Sequence, residues 1–196
     1  MSSEKLETRP RILNAAWALL ESGDSIVRMS DIAKKAGVSR QAVYLHFANR
    51  ADLLTVLTRY IDEVKDTDAR LAASRTAESG PERLDAFIDA WGNYIPEIHG
   101  VAHALMAMQD TDEAARRAWG NRLQAIREGC EAAVTALGRD GLLRPDLAED
   151  KAVDLLWTLL SVRNWEHLRL DCGWSQAAFV AQMKTLARQA LMRPQD

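Results

Sequence analysis

The segment from Met29 to Phe47, MSDIAKKAGVSRQAVYLHF, constrains the fold more than any other part of the chain. Apolar residues with helical spacing stand on both sides of Gly37, a residue that readily adopts the conformation of a tight turn. Ala33 is small enough to let two helices approach closely, and Val43 can pin the second helix against the first. The pattern therefore predicts a helix-turn-helix.

The outward face of the second helix carries groups that suit DNA. If Val43 and Phe47 point inward, the outward side chains are those of Arg40, Gln41, Tyr44 and His46, where a recognition helix contacts the major groove. Ser39 can cap this helix, Arg40 can donate to guanine or phosphate, and Gln41 can pair with adenine. The alternative is a helical hairpin with a solvated basic face. The predicted DNA-binding residues are Lys34, Ser39, Arg40, Gln41, Tyr44, His46 and Arg50.

The charge distribution agrees with a nucleic-acid partner for the N-terminal part. The whole chain of 196 residues has a net charge of −3. Its first 60 residues hold nine Lys or Arg against six Asp or Glu, so the net charge there is +3 and the rest carries −6. The positive excess lies with the helix-turn-helix, as phosphate binding requires.

Gly and Pro residues divide the sequence into segments with helical spacing, and this pattern predicts an all-α chain. We expect a first helix that Thr8 caps and Gly23 ends, and a long helix from Asn49 to about Ala73. The segment 74–81, SRTAESGP, has the composition of a linker, with Pro81 in the first turn of the next helix. Further helices are predicted at about 81–95, 97–109, 111–138, 146–170 and 175–192. The predicted organisation is a three-helix helix-turn-helix DNA-binding domain at 8–52 and a larger helical ligand-binding and dimerisation domain at 53–196.

The N-terminal part resembles the TetR-type transcriptional regulators over about residues 8–60. The resemblance rests on the first helix from Ile12 to Leu20, on DIAKKAGVS at 31–39, on VYLHF at 43–47, and on Arg50 three residues before Leu53. It implies a homodimer whose paired recognition helices read a palindromic operator. It also implies a C-terminal helical domain that binds a small molecule and thereby weakens DNA binding.

Two positions depart from the family pattern. Members usually place Thr or Ser just before the second helix, where this chain has Val27 and Arg28, so the cap would come from Asp24, Ser25 or Ser30. Arg50 stands where the family usually has Lys, and it keeps a positive charge near a phosphate.

The C-terminal part is rich in tryptophan, with five of the six in the chain. Aromatic walls suit a pocket for a small hydrophobic or aromatic effector, although the same residues can simply fill a helical core. The candidate pocket residues are Trp91, Tyr94, His103, Met106, Trp119, Arg122, Trp157 and Asn164.

The last two predicted helices each show two apolar stripes. One stripe can face the protomer's own core while the other meets a partner in an intermolecular four-helix bundle, which is how the resembling family dimerises. A buried helix in a larger monomer is the alternative.

Other classes of function find little support in the sequence. There is no nucleophile elbow, phosphate loop, zinc-protease motif or dinucleotide fingerprint, so we expect no enzyme and no cofactor. His99 and His103 share a helical face but lack a third ligand, so we expect no metal. Cys130 and Cys172 suit a reducing compartment, so we expect a cytoplasmic protein, and we expect it to have no membrane segment. The alternative function is a DNA-binding protein whose C-terminal domain docks another protein and has no effector. The operator, the effector and the choice between repressor and activator stay open.

Overall fold

A computed structural model describes residues 3–22 and 27–194, with side chains from residue 7 onward. The described residues form ten α-helices and a π-helical turn, His167–Asp171, and they contain no strand beyond an isolated bridge between Leu143 and Met192. The helices are α1 (Ser3–Glu21), α2 (Met29–Ala36), α3 (Arg40–His46), α4 (Arg50–Val64), α5 (Thr67–Thr76), α6 (Gly80–Met108), α7 (Glu113–Arg139), α8 (Glu149–Leu159), α9 (Val162–Glu166) and α10 (Gln176–Leu191). The all-α prediction is confirmed.

The chain divides into two compact units. The first unit comprises residues 1–65 and 98–123, and the second comprises 66–97 and 124–196. Helices α6 and α7 therefore contribute residues to both units. The domain boundary predicted between residues 52 and 53 falls inside α4, in the first unit.

The core of the first unit forms where α1 packs on α2 and α4, and where α2 packs on α3. Apolar side chains at helical spacing on each of these helices are fully buried, which removes them from water and supplies the main stabilisation. The Arg11 guanidinium adds a 2.8 Å hydrogen bond to the Ala36 carbonyl at the end of α2. The fully buried side chains include Ile12, Leu13, Leu20, Ile32, Val43, Phe47, Leu53 and Leu57.

Two predicted boundaries near the N-terminus differ from the structure. Helix α1 begins at Ser3 rather than at a Thr8 cap, and it continues through Pro10, which removes a single backbone hydrogen bond. The predicted stop at Gly23 lies outside the described residues. The long helix expected from residue 49 to 73 is two helices, because Asp66 adopts a left-handed conformation (φ 50°) and its carboxylate caps α5 through the Ala69 N–H at 3.3 Å.

The prediction that Pro96 separates two helices is wrong, since α6 runs unbroken from Gly80 to Met108. Proline has no N–H to donate to the carbonyl four residues earlier, which is that of Gly92. That carbonyl instead accepts a 2.8 Å hydrogen bond from the Gln176 amide, whose oxygen accepts from the Trp165 indole at 2.9 Å. Because a side chain of α10 bonds to the Gly92 carbonyl, α6 continues through Pro96 without leaving that carbonyl unsatisfied.

The helix predicted at 146–170 is also interrupted, at Leu160 and Ser161. The Ser161 hydroxyl accepts a 3.2 Å hydrogen bond from the Asn164 N–H and so starts α9 afresh. The Leu160 carbonyl at the end of α8 is satisfied by the buried Trp91 indole at 2.7 Å. Pro81 does lie in the first turn of α6, as predicted.

Candidate nucleic-acid interface and effector site

The turn between α2 and α3 has the predicted geometry. Gly37 adopts a left-handed conformation with φ 66°, and the Val38 N–H returns to the Ala33 carbonyl at 3.0 Å. A side chain at residue 37 would be strained there, so the glycine is required for the turn. The prediction of a tight turn at Gly37 is confirmed.

The start of α2 uses an acceptor that the sequence analysis did not consider. The helix begins after Arg28, whose backbone N–H donates to the Asp31 carboxylate at 3.3 Å. Ser30 lies within the helix and makes no cap, while Asp24 and Ser25 lie outside the described residues. Asp31 thus forms the half of a capping box in which a side chain of the first turn accepts the N–H of the N-cap residue.

Helix α3 is held in one rotational setting. The Ser39 hydroxyl accepts the Ala42 N–H at 3.0 Å, which confirms the predicted cap. Val43 and Phe47 are almost completely buried in the first unit, and His46 is half-buried beside them. The opposite side of α3 is therefore turned to solvent.

The exposed side of α3, which we call the reading face, consists of Arg40, Gln41, Tyr44 and Leu45. Tyr44 is 43% exposed and Leu45 is 71% exposed. Leu45 is not among the residues predicted from the sequence, although its spacing alone places it there. Each residue turns a helix by about 100°, so a side chain two positions after a buried Val43 lies nearly opposite to it.

Arg40 and Tyr44 form a pair on the reading face. The Arg40 guanidinium donates to the Tyr44 hydroxyl oxygen at 3.4 Å and lies 5.6 Å from the centre of the ring. This hydrogen bond raises the pKa of Arg40. Because the Tyr44 oxygen accepts this bond, its proton can be donated to a phosphate, and Arg40 has further N–H groups for a phosphate or guanine.

Arg50 is engaged within the first unit. Its Nε donates to the Val27 carbonyl, its Nη1 forms an ion pair with Asp112, and its Nη2 lies 3.7 Å from the Met108 sulfur. The Arg50 side chain is 19% exposed and that of Asp112 is 25% exposed. A role for Arg50 on a phosphate stays a prediction, whereas exposed Lys34, in the last turn of α2, supplies a cation nearby in sequence.

Two further contacts join α6 and α7 to the N-terminal helices of the first unit. Arg122 of α7 forms an ion pair with Asp62 of α4. A Cβ on Gly100 of α6 would lie 3.3 Å from the Cα of Glu21, so the glycine permits a close approach to α1. Together with the Arg50 contacts, they tie the α6–α7 segment to the helices that carry the helix-turn-helix.

The candidate effector residues are shared between the two units. In the first unit, Met106 and Trp119 are buried, Arg122 is paired with Asp62, and His103 is exposed. The rings of His103 and His99 have centroids 5.7 Å apart, which confirms that they share a face.

In the second unit, Trp91 and Tyr94 are buried and meet edge to face, with ring centroids 6.1 Å apart. Trp157 is half-buried beneath the Arg127 guanidinium, 5.6 Å from the ring centre. The Asn164 amide donates to the Thr158 carbonyl at 2.6 Å. The polar atoms of Trp91 and Asn164 therefore already have protein partners, while the Trp91–Tyr94 ring pair is the aromatic cluster that the fold assembles.

A capped helix with charged and polar groups on its outward face, following a tight turn from a second helix, defines the helix-turn-helix class of DNA-binding proteins. Residues 12–57 match the family model of the bacterial regulatory proteins, tetR family. The HTH-type transcriptional regulator TtgR of Pseudomonas putida is 40% identical over 72 residues, which is 36% of this chain and 34% of TtgR. The matching region thus spans about a third of that relative.

Longer matches support the same class. An uncharacterized HTH-type transcriptional regulator of Mycobacterium tuberculosis is 30% identical over 151 residues, or 74% of each chain. The solved structure of a transcriptional regulator from Saccharomonospora viridis in complex with choline has a TM-score of 0.75 at 20% identity, covering 96% of this chain and 99% of that one. FadR of Bacillus subtilis in complex with stearoyl-CoA has a TM-score of 0.72 at 18% identity, covering 90% and 96%.

This chain belongs to the tetR family of bacterial transcriptional regulators, which bind DNA and are not enzymes. Within the described part of the chain, no helix has both the length and the apolar character needed to cross a bilayer.

Proposed function

We propose that the protein is a ligand-responsive repressor that binds a palindromic operator as a cytoplasmic homodimer and is released by a small hydrophobic or aromatic molecule. Its DNA contacts come from the reading face of α3, with Lys34 and Ser39 beside it. Arg40 and Gln41 supply base or phosphate contacts, and Tyr44 donates to the backbone.

The observation that carries the proposal is the set of contacts around Arg50. This side chain stands at the start of α4 and bonds at once to Val27, just before α2, and to Asp112, between α6 and α7. All three groups belong to the first unit. A change in the position of the α6–α7 turn would therefore pull directly on the start of α2 and of α4, the two elements that frame α3.

An effector would act by favouring a position of α6 in which these contacts are altered. Since a ligand shifts an equilibrium only by its differential affinity for the two states, the effector must contact a segment that moves. Buried aromatic side chains offer such contacts within each unit, Trp119 of α7 in the first and Trp91 of α6 in the second. Two proteins of the same fold have been solved in complex with choline and with stearoyl-CoA, which supports a small-molecule effector for this chain.

The proposal of a homodimer rests on the unburied apolar residues of the last helices. In α8, Leu156 is buried, whereas Leu155 is 44% exposed and Leu159 is half-buried. In α10, residues of both predicted stripes are buried, among them Val180, Met183 and Ala187, while Leu186 is half-buried. The uncovered stripe of α8 therefore carries the proposal of the intermolecular bundle expected from the resemblance.

The experiment couples two readouts in one sample. A duplex is selected from a random library with the wild-type protein, and its affinity is measured by fluorescence anisotropy while choline, stearoyl-CoA or benzoate is titrated and tryptophan emission is recorded. We expect a probe that changes the emission to weaken DNA binding by about 5- to 150-fold, the usual range for coupled sites. A probe that changes the emission and leaves DNA affinity unaltered would contradict the proposal.

Matched variants locate the coupling. Asp112→Asn removes the charge that pairs with Arg50, and Glu113→Gln removes an exposed charge of the same turn that pairs with Arg116. We expect Asp112→Asn to reduce the coupling between probe and DNA while Glu113→Gln keeps it. Equal coupling in both variants would exclude the Arg50 contacts as the route.

A further inference from the structure

One member of the reading face is apolar. Leu45 is 71% exposed, more than any other large hydrophobic side chain among the described residues. The inward positions of α3 are already filled by Val43 and Phe47, so Leu45 contributes nothing to the core of the first unit. A leucine in that position stays in water until a partner covers it.

The rotational setting of α3 fixes where this side chain points. The Ser39 cap and the buried Val43 and Phe47 prevent the helix from rolling, and Leu45 lies nearly opposite Val43. Gln41 stands one turn earlier on the same side, with Cβ atoms of such pairs about 5–6 Å apart. Leu45 is therefore directed outward on the reading face, next to Gln41.

The chemistry of the major groove favours thymine as the partner of a leucine there. Leucine cannot donate to or accept from a phosphate or a base edge, and among the four bases only thymine presents a methyl group in this groove. The flanking cations Arg40 and Lys34 favour a polyanion over an apolar protein surface as the covering partner.

We propose that Leu45 contacts the C5-methyl group of a thymine and so selects thymine at one position of the operator segment that each α3 reads. The inference rests on the proposal that α3 reads the operator. It adds a specificity contact that the polar residues of the helix cannot make.

The test replaces single methyl groups on the DNA. Each thymine of the duplex selected by the wild-type protein is changed in turn to deoxyuridine, which lacks only the C5-methyl group. For the wild type we expect one such change per bound α3 to weaken binding by about fourfold, the equivalent of ~0.8 kcal/mol for one buried methyl group. For Leu45→Ala we expect weaker binding to the thymine duplex and equal affinity for the thymine and deoxyuridine duplexes.

Val64→Ala is the matched control, because Val64 is an exposed aliphatic residue (53%) of the same unit but outside the reading face. It should show the wild-type loss on deoxyuridine substitution, and thermal unfolding should be unchanged in both variants. A wild-type protein indifferent to every deoxyuridine, or a Leu45→Ala variant that keeps the full loss, overturns the inference. Arg40→Ala then separates this inference from the proposed function. If Arg40→Ala weakens DNA binding, α3 reads the operator but Leu45 does not contact a thymine. If Arg40→Ala binds as the wild type does, α3 is not the reading helix.

Discussion

The guanidinium of Arg50, at the start of α4, forms an ion pair with the carboxylate of Asp112, the residue that caps α7. Asp112 Oδ1 accepts the N–H groups of Ala114 and Ala115 at 2.9 and 3.1 Å, while Oδ2 faces Arg50. One carboxylate thus caps α7 and holds the start of α4, the helix that follows α3. The pair joins the α6–α7 turn to the start of α4 within the first unit.

Loss of this pair should destabilise the protein without removing the cap. Asp112→Asn keeps an acceptor for Ala114 and Ala115 but leaves Arg50 without its counter-charge, so we expect the free energy of unfolding to fall by about 1–3 kcal/mol. The Arg50→Ala, Asp112→Asn double variant should lose less than the sum of the two single losses. Strict additivity in chemical denaturation would show that the pair contributes nothing.

The same pair gives a defined dependence on pH. Burial raises the pKa of Asp112, but hydrogen bonds from Ala115 and Ala114 and the charge of Arg50 outweigh it, so the pKa lies below its ordinary value. Stability from this group is therefore present above the ordinary aspartate pKa of about 3.9 and is lost as pH falls below it. The stability advantage of the wild type over Asp112→Asn should be constant from about pH 7 to 5 and shrink below about pH 4. An undiminished advantage at about pH 3 would contradict this assignment.

Gln176 should contribute more to stability while Pro96 is present than in its absence. Gln176→Ala removes the donor to the Gly92 carbonyl and the acceptor of the Trp165 indole. We expect the free energy of unfolding to fall by about 1–3 kcal/mol. Pro96→Ala restores an N–H that can bond to Gly92, so Gln176→Ala should cost less in that background. An equal cost in both backgrounds, measured by thermal unfolding, would show that the proline and the glutamine are independent.

The two cysteines should differ sharply in reactivity. Burial raises the pKa of the Cys130 thiol to about 12, whereas Cys172 is exposed. Because the thiolate is the reactive form, a disulfide reagent at about pH 8 should label Cys172 at once and Cys130 only on unfolding. Cys172→Ser should remove the rapid phase. Rapid labelling of one thiol in that variant would place Cys130 at the surface.

Local signals carried most of the sequence prediction for the N-terminal segment. Gly37 and Ser39 act on residues within one turn of themselves, so their roles follow from a short window of sequence. Leu45 could have been added to the reading face from its angle relative to Val43 alone.

The errors arose where distant residues decide the outcome. Pro96 does not end α6 because Gln176 satisfies the Gly92 carbonyl from 84 residues away. Arg50 carries a charge suited to phosphate, yet its partner Asp112 lies 62 residues further along the chain. Neither partnership is visible in the local sequence pattern. The break at Ser161 could have been predicted only by interpreting a serine inside an apolar run as a helix cap.

The salt dependence of DNA binding in Arg40→Ala tests the central claim that α3 reads the operator. Loss of a cation that contacts phosphate should weaken binding to the selected duplex by about tenfold and reduce the slope of log affinity against log salt concentration by about one. Arg116→Ala removes an exposed cation of α7 in the same unit and should change neither quantity. An Arg40→Ala variant with wild-type affinity and wild-type salt slope would contradict the account.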